Sequence, residues 1–297
     1  MDIRHLEYFV EVARSLSFTK ASRNLHISQP SISKMVKILE DELGVQLLYR
    51  SSRQIELTDA GKAVLGKAQE ILASFQNLTS ELDDVMEMKK GVIRIGIPPI
   101  VGASFFPRII GQFKREYPLV DIQLTEVGTK NIEIGIEDGT LDIGIVCSHP
   151  TRVNTFNTFS LLKDPLMLVV YPDHPLSKGG EIDFSDLKEE NFVLYRQDFS
   201  LHDRIIEQCG RYNFYPKIIC ESSQRDFMVE MVAAKLGITM LPQKICQELD
   251  QTKIKIKGFS QPEIFLELSI IWKKDKYLSF AAREWLDFTS KSFGINI

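Results

Sequence analysis

Cysteine is scarce in this 297-residue chain. Its four cysteines, Cys147, Cys209, Cys220 and Cys246, stand far apart with no C-x-x-C pair. That spacing excludes a disulfide framework and predicts cytosolic thiols with structural roles. No run of 18 or more uncharged apolar residues occurs, so no membrane span is expected. Met1-Asp2-Ile3-Arg4-His5 runs straight into an amphipathic pattern and lacks the apolar core of a signal peptide, so a cytoplasmic protein is expected. The five histidines, His5, His26, His149, His174 and His202, are scattered, and none sits in H-E-x-x-H or a triad-like setting. Neither the G-x-x-x-x-G-K-[ST] phosphate loop nor a dinucleotide G-x-G-x-x-G is present. These absences argue against an enzyme, and neither a metal nor a cofactor is expected. Cys147-x-His149 has no further ligand nearby and reads as the end of a loop.

What remains is an ordinary globular composition, 44% hydrophobic and 26% charged, long enough for two or three domains. Net charge is −4, but residues 1–58 hold eight Lys/Arg against seven Asp/Glu. Attraction to nucleic acid would therefore come from local placement and from doubling in a dimer.

The stretch from Ser28 to Leu43 carries the most information. Ser28 can cap a helix whose first turn holds Pro30. Ile32, Val36, Leu39 and Leu43 then form one apolar stripe. The other face bears Gln29, Ser31, Ser33, Lys34 and Lys37, donors and cations suited to the DNA major groove. Glu40-Asp41-Glu42 close the helix, where acids oppose its macrodipole and would be repelled by phosphates. The helix is thus expected to enter DNA by its N-terminal end. An amphipathic surface helix is the plainer alternative, and its surroundings decide against it.

Before it, Leu6, Phe9, Val10 and Ala13 mark a first helix, and Thr19 is placed to cap a second bearing Ala21 and Leu25. Helices joined this tightly make a helix-turn-helix. After it, Val45–Arg50 and Gln54–Thr58 flank a polar tip, a hairpin "wing" with Arg50 and Arg53 near its tip. From Thr58-Asp59 to about Lys90 no proline interrupts a heptad seam. Leu65, Leu72, Thr79 and Met86 recur with Ala68, Phe75 and Leu82 three residues on. Some 30 residues of helix span ~45 Å, and such a seam is expected to bury itself against a second copy.

Residues 91–297 alternate strands and helices. Strands at 91–97, 120–124 and 141–146, with intervening helices, make a βαβαβ unit. A second unit follows between residues 165 and 241, and Leu266–Trp272 with a terminal helix cross back to the first. Two Rossmann-like lobes with a cleft between them result. Ligands of such sheets gather at the strands' C-terminal ends, here Pro98–Gly102, Val127–Thr129 and Cys147–His149. Pro99, Ile100, Val101, Gly102, Thr129 and Ser148 are the candidate contacts there. The expected organisation is a DNA-binding domain over 1–58, a linker and dimerisation helix over 59–90 and a ligand-binding domain over 91–297. Lobe one takes about 91–162 and 266–297, and lobe two about 163–265.

This order of parts resembles the LysR-type transcriptional regulators along the whole chain, most closely in residues 1–66. Leu6-x-x-Phe9, Phe18-Thr19-x-Ala21-Ser22, Leu25-x-Ile27-Ser28-Gln29-Pro30-Ser31-Ile32-Ser33, Leu43-Gly44, Leu47-Leu48-x-Arg50 and Leu57-Thr58-x-Ala60-Gly61 carry the likeness. Gly139-x-Leu141-Asp142-x-Gly144-Ile145 and Leu236-Gly237-Ile238-x-x-Leu241-Pro242 extend it. The resemblance implies an all-α winged helix-turn-helix, a long linker helix and a periplasmic-binding-protein-like effector domain. It also implies a homodimer or homotetramer on double-stranded promoter DNA, contact with RNA polymerase if it activates, and a small-molecule effector in the cleft. Gln29, Pro30, Ser33 and Lys34 would face the groove, with Arg50 and Arg53 in the wing.

Lys34 stands where the family often has Arg, giving a point charge in place of a two-pronged contact. Ile100 stands where many members carry Ser or Thr. That substitution leaves the N–H groups of Val101, Gly102 and Ala103 as donors to an organic anion. Phe199 and Ser200 complete the implied effector set. Ser200 occupies the loop where peroxide-sensing members need a reactive Cys, which argues against thiol sensing. A cytosolic metabolite-binding protein with a helical dimerisation module is the competing reading.

Overall fold

The computed structural model describes residues 1–50, 55–85, 90–148, 154–261 and 264–295, with no account of the side chains of Arg50, residues 76–85 and Ala103. The chain divides into two compact units, residues 1–87 and, apart from 138–140, residues 88–297.

In the first unit, local chemistry sets each helix boundary. Helix α1 (Ile3–Ser15) opens with a capping box, in which Asp2 accepts from Arg4 N–H and donates its own N–H to His5. Helix α2 (Phe18–Asn24) is capped by Ser17, whose Oγ accepts from Lys20 N–H; Thr19, the expected cap, lies inside the first turn. Helix α3 (Gln29–Leu43) starts at Ser28 and ends at Gly44, whose φ of 68° is the left-handed conformation a helix C-terminus favours. Gly44 and Val45 donate back to Asp41 and Glu40 carbonyls. Val45 is thereby committed to the helix end, and the wing shrinks to β1 (Leu48–Arg50) antiparallel to β2 (Ile55–Leu57).

Helix α4 (Asp59–Val85) follows. Thr58 Oγ1 accepts from Gly61 N–H at 2.9 Å and donates to the Gln46 carbonyl at 2.7 Å. Gly61 has no room for a side chain, since a Cβ there would lie 2.0 Å from the Leu47 carbonyl oxygen. Ala68 of α4 is buried with Leu6, Phe9, Val12, Ala21, Ile32, Val36 and Leu39 in this unit's core, and Leu65 and Leu72 pack against that core.

The second unit begins β3 (Gly91–Ile97), α5 (Pro99–Glu116), β4 (Val120–Glu126), α6 (Thr129–Glu137) and β5 (Ile143–Val146). It continues β6 (Phe156–Val170), β7 (Asn191–Tyr195), α7 (Ser200–Arg211), β8 (Lys217–Ser222) and α8 (Arg225–Ala233). It closes with β9 (Thr239–Pro242), α9 (Gln243–Cys246), β10 (Lys255–Lys257), β11 (Phe265–Lys273) and α10 (Phe280–Ser292). Strand β3 is parallel to β4 and β5, as the βαβαβ pattern requires. Strand β11 pairs antiparallel with β5 and β6, and β6 with β9 and β10. Strand β7 is parallel to β8, and its Phe192 bridges to Ile238, the residue just before β9. Two α/β lobes result, one on β3, β4 and β5 and the other on β7, β8 and β9, with β6 and β11 running through both.

Strand β6 begins at Phe156, well before residue 165 where the second unit was expected to start. Lys163, Asp164 and Pro165 disguise its first half, but the ladder tolerates them. Asp164, 4% exposed, accepts from Lys244 N–H at 2.9 Å. Strand β10 was not anticipated, because three residues are too few to show alternation.

Candidate nucleic-acid interface and ligand cleft

Helix α3 presents Gln29, Pro30, Lys34 and Lys37 exposed and Ser33 half-buried, while Ile32, Val36 and Leu39 on the opposite side are fully buried. Ser28 and Ser31 serve the helix itself: Ser28 Oγ accepts from Ser31 N–H, and the two hydroxyls lie 2.7 Å apart. Lys20 and Arg23 of α2 are also exposed cations. On so short a helix, with Ala21 buried, these outward cations were legible in the sequence although absent from the expected DNA contacts. Arg50 ends β1, and Arg53 lies outside the described residues.

The acids that close α3 do not act as one block. Asp41 and Glu42 are exposed, but Glu40 is 8% exposed and Oε1 accepts from Leu47 N–H at 2.9 Å and Leu48 N–H at 3.1 Å. Those amides enter the wing without ladder partners, and a charged acceptor satisfies both. Repulsion from phosphate therefore does not explain Glu40; fastening the wing does.

The seam of α4 also needs correction. Ala68 is 1% exposed within its own unit and offers no surface to a second copy, and Leu65 and Leu72 are drawn partly onto the same core. Among the described side chains of α4, Ile71 (46% exposed) and Phe75 (59% exposed) are the large apolar ones left outside. Leu82 lies beyond the described side chains.

In the α/β unit the three expected strand ends do come together. Val127 N–H donates to the Ile97 carbonyl at 3.2 Å, and Cys147 N–H to Thr129 Oγ1 at 3.3 Å. Several candidate contacts are nevertheless interior. Ile100, Val101 and Phe199 are no more than 1% exposed and belong to the apolar core, so their side chains pack and do not line a site. Thr129 is 2% exposed, and its hydroxyl, having accepted from Cys147, retains its own proton to donate. Pro99, Gly102, Ser148 and Ser200 are half-buried. Ser200 Oγ is buried without a hydrogen-bond partner among the described residues.

Two of the expected anion donors are spent. Helix α5 begins at Pro99, not after Gly102, and Val101 and Gly102 N–H groups donate to the Pro98 carbonyl at 3.1 and 3.0 Å. Pro98 and Pro99 have no N–H to offer. At the start of α6, Gly128 N–H donates to Asp198 Oδ2 at 3.1 Å and Lys130 N–H to the Asp198 carbonyl at 3.3 Å. Burial alone would raise the Asp198 carboxyl, but the hydrogen bonds and charge of Arg196 and the Gly128 amide hold it below the usual carboxylate range. Asp198 and Arg196 were not anticipated. Gly128, a glycine at a strand end, was the available signal for close backbone approach.

Comparison with known proteins places this geometry. Residues 3–62 match the family model for the bacterial regulatory helix-turn-helix protein, lysR family, and residues 87–294 match the LysR substrate binding domain. The chain is 54% identical over 289 residues to the uncharacterized HTH-type transcriptional regulator YwbI of Bacillus subtilis (strain 168), covering 97% of this chain and 96% of that protein. It is 31% identical to a hydrogen peroxide-inducible genes activator of Dickeya chrysanthemi, covering 82% and 79%. Among solved structures, full-length OxyR from Pseudomonas aeruginosa aligns with a TM-score of 0.61 at 26% identity, covering 99% of both chains. CbnR in complex with its target DNA aligns at 0.69 and 22% identity over 98% and 100%, a likeness of fold. With both domain models matched in order and a relative identical at more than half its positions, the chain belongs to the LysR family, and it is a DNA-binding transcriptional regulator with a substrate-binding effector domain.

Proposed function

We propose that this regulator reads its promoter through the N-terminal face of α3. Gln29, Pro30, Ser33, Lys34 and Lys37 face the major groove, Arg50 and Arg53 reach the adjoining backbone or minor groove from the wing, and Lys20 and Arg23 add phosphate contacts. The observation that carries this is the exposure of Gln29, Lys34 and Lys37 on the second helix of a helix-turn-helix whose far side is buried. A homodimer, assembled into a tetramer, supplies two such helices, and Phe75 and Ile71 are the large exposed apolar residues among the described side chains of α4 that a twin would cover. The chain works in the cytoplasm by binding and not by catalysis. No helix among the described residues is long and apolar enough to cross a membrane.

The effector is a small organic molecule held where α5, α6 and α7 begin. Ser148 and Ser200 hydroxyls and the Gly102 edge contact it. Thiol control is not part of this reading. Burial pushes the Cys147, Cys209 and Cys246 thiols up to about 12, so little thiolate exists at neutral pH.

The test is a Gln29→Ala/Lys34→Ala double variant. Both side chains are exposed, so the circular dichroism spectrum and oligomer size stay as in the parent. Each lost base contact costs ~1–3 kcal/mol, so specific promoter affinity falls by more than about tenfold. Unchanged affinity overturns the assignment of α3.

A further inference from the structure

Among the described residues, two polar clasps link the lobes beside the apolar core and the strands they share. The first ties the start of α6 to the loop before α7. Besides the two amide bonds to Asp198, Asn131 Nδ2 donates to Asp198 Oδ2 at 3.4 Å. Lys130 Nζ donates to the Gln197 carbonyl at 2.6 Å and pairs with Asp203 at 2.6 Å. Arg196 grips Asp198 through Nε at 3.0 Å and Nη2 at 2.9 Å. The backbones nearly touch: a Cβ on Gly128 would lie 2.3 Å from the Asp198 carbonyl oxygen. In the second clasp, Ser104 Oγ donates to Glu248 Oε2 at 3.0 Å and accepts from Arg225 Nη1 at 3.1 Å.

Most of these side chains are exposed or half-exposed, and single ion pairs in that setting contribute ~0.2–1 kcal/mol. Clasps of this kind open far more cheaply than an apolar core. The crossover strands also contain a place to bend. Between Leu268 and Ser269 the β11–β6 register shifts and skips Leu161, an irregularity that interrupts the ladder.

We propose that the Gly128–Asp198 contact is a releasable clasp between the lobes, working against a hinge at Leu161 and Leu268–Ser269, and that the regulatory state of this chain depends on whether it is shut. The clasp stands whichever residues touch an effector. Nothing but glycine fits at 128 while it is closed. Asp198 is bound as a carboxylate by four donors, two from lobe one and two from Arg196 beside it.

Hydrogen exchange on the full chain tests this with Gly128→Ala and Asp198→Asn, the second keeping size and shape. In both variants amides of residues 127–132 and 197–203 exchange roughly fivefold faster or more, while those of β3, β5 and β11 keep their parent rates. Affinity for the promoter fragment, whose contacts lie in the other unit, shifts by roughly threefold or more in both variants. Parent-like exchange in the two segments overturns the clasp, as does acceleration spread evenly over the α/β unit, which would make the loop merely part of the core. Unchanged promoter affinity overturns its regulatory role. Should Gly128→Ala fail to fold, Asp198→Asn decides alone.

Discussion

In the first unit Gln29, Lys34 and Lys37 stand exposed on a helix whose other face is buried. In the second, Ile100, Val101, Thr129 and Phe199, reached partly by reasoning from position along the chain, are all within 2% of complete burial. A DNA reader is a surface, and amphipathic periodicity reports surfaces directly. A ligand cleft is an interior, where position near a strand end does not distinguish a contact from a packing residue. The two units also use polar groups differently. The acid of the first unit that looked functional, Glu40, is structural, while an acid of the second that went unremarked, Asp198, spans the lobes with Arg196 holding it from beside.

The contrast breaks most sharply at Glu40. Replacing it by Ala leaves two buried amides, Leu47 and Leu48, without an acceptor, at ~1–3 kcal/mol each, so the first unit loses about 2–6 kcal/mol of stability. Asp41→Ala next to it changes stability by less than ~0.5 kcal/mol. Denaturant midpoints of the two variants check this. Equal midpoints would return Glu40 to the surface role suggested by the sequence, and Glu40→Gln, retaining an oxygen, should recover much of the loss.

Thr129 sharpens the comparison from the other side. Thr129→Val orphans the Cys147 amide and destabilises the α/β unit by ~1–3 kcal/mol, whereas Thr129→Ser, keeping the hydroxyl, costs less than the valine. If the serine variant holds its melting temperature but loses the response to effector, the residue has a binding role beyond packing. If both properties survive in Ser and fall together in Val, Thr129 acts through the fold.

Acid gives the smallest effect. Burial alone would raise the Asp142 carboxyl, but the hydrogen bonds and charge of Arg94 and the charge of Lys276 outweigh it and lower it. A carboxylate depressed in the folded state contributes stability fully above its unfolded pKa, ~3.9, and loses it as pH falls through that value towards the folded one. The α/β unit should therefore lose stability below about pH 4–5. Asp142→Asn should flatten that fall, as read by thermal melting across pH. An unchanged slope would place the acid sensitivity elsewhere.

Much of the architecture was legible because local rules were enough. Ser28, Pro30 and Gly44 mark both ends of α3, and β3, β4 and β5 show themselves by apolar runs at regular spacing. Strand β6 was only half legible, since Lys163-Asp164-Pro165 is a poor strand on local grounds and becomes one when β11 and β9 take its hydrogen bonds. The seam of α4 misled for a related reason. A heptad row records that residues are buried, not what buries them, and the chain's own core covers Ala68.

What the sequence determined by itself was the order of parts and the outward face of α3, because caps, periodicity and glycine conformation act within a few residues. Only the tertiary structure decided that Glu40 fastens the wing, that Ile100 and Val101 pack inward and that Asp198 closes on Gly128. Those partners lie 7 to 70 residues apart in the chain, and no local signal records which distant amide a carboxylate will meet.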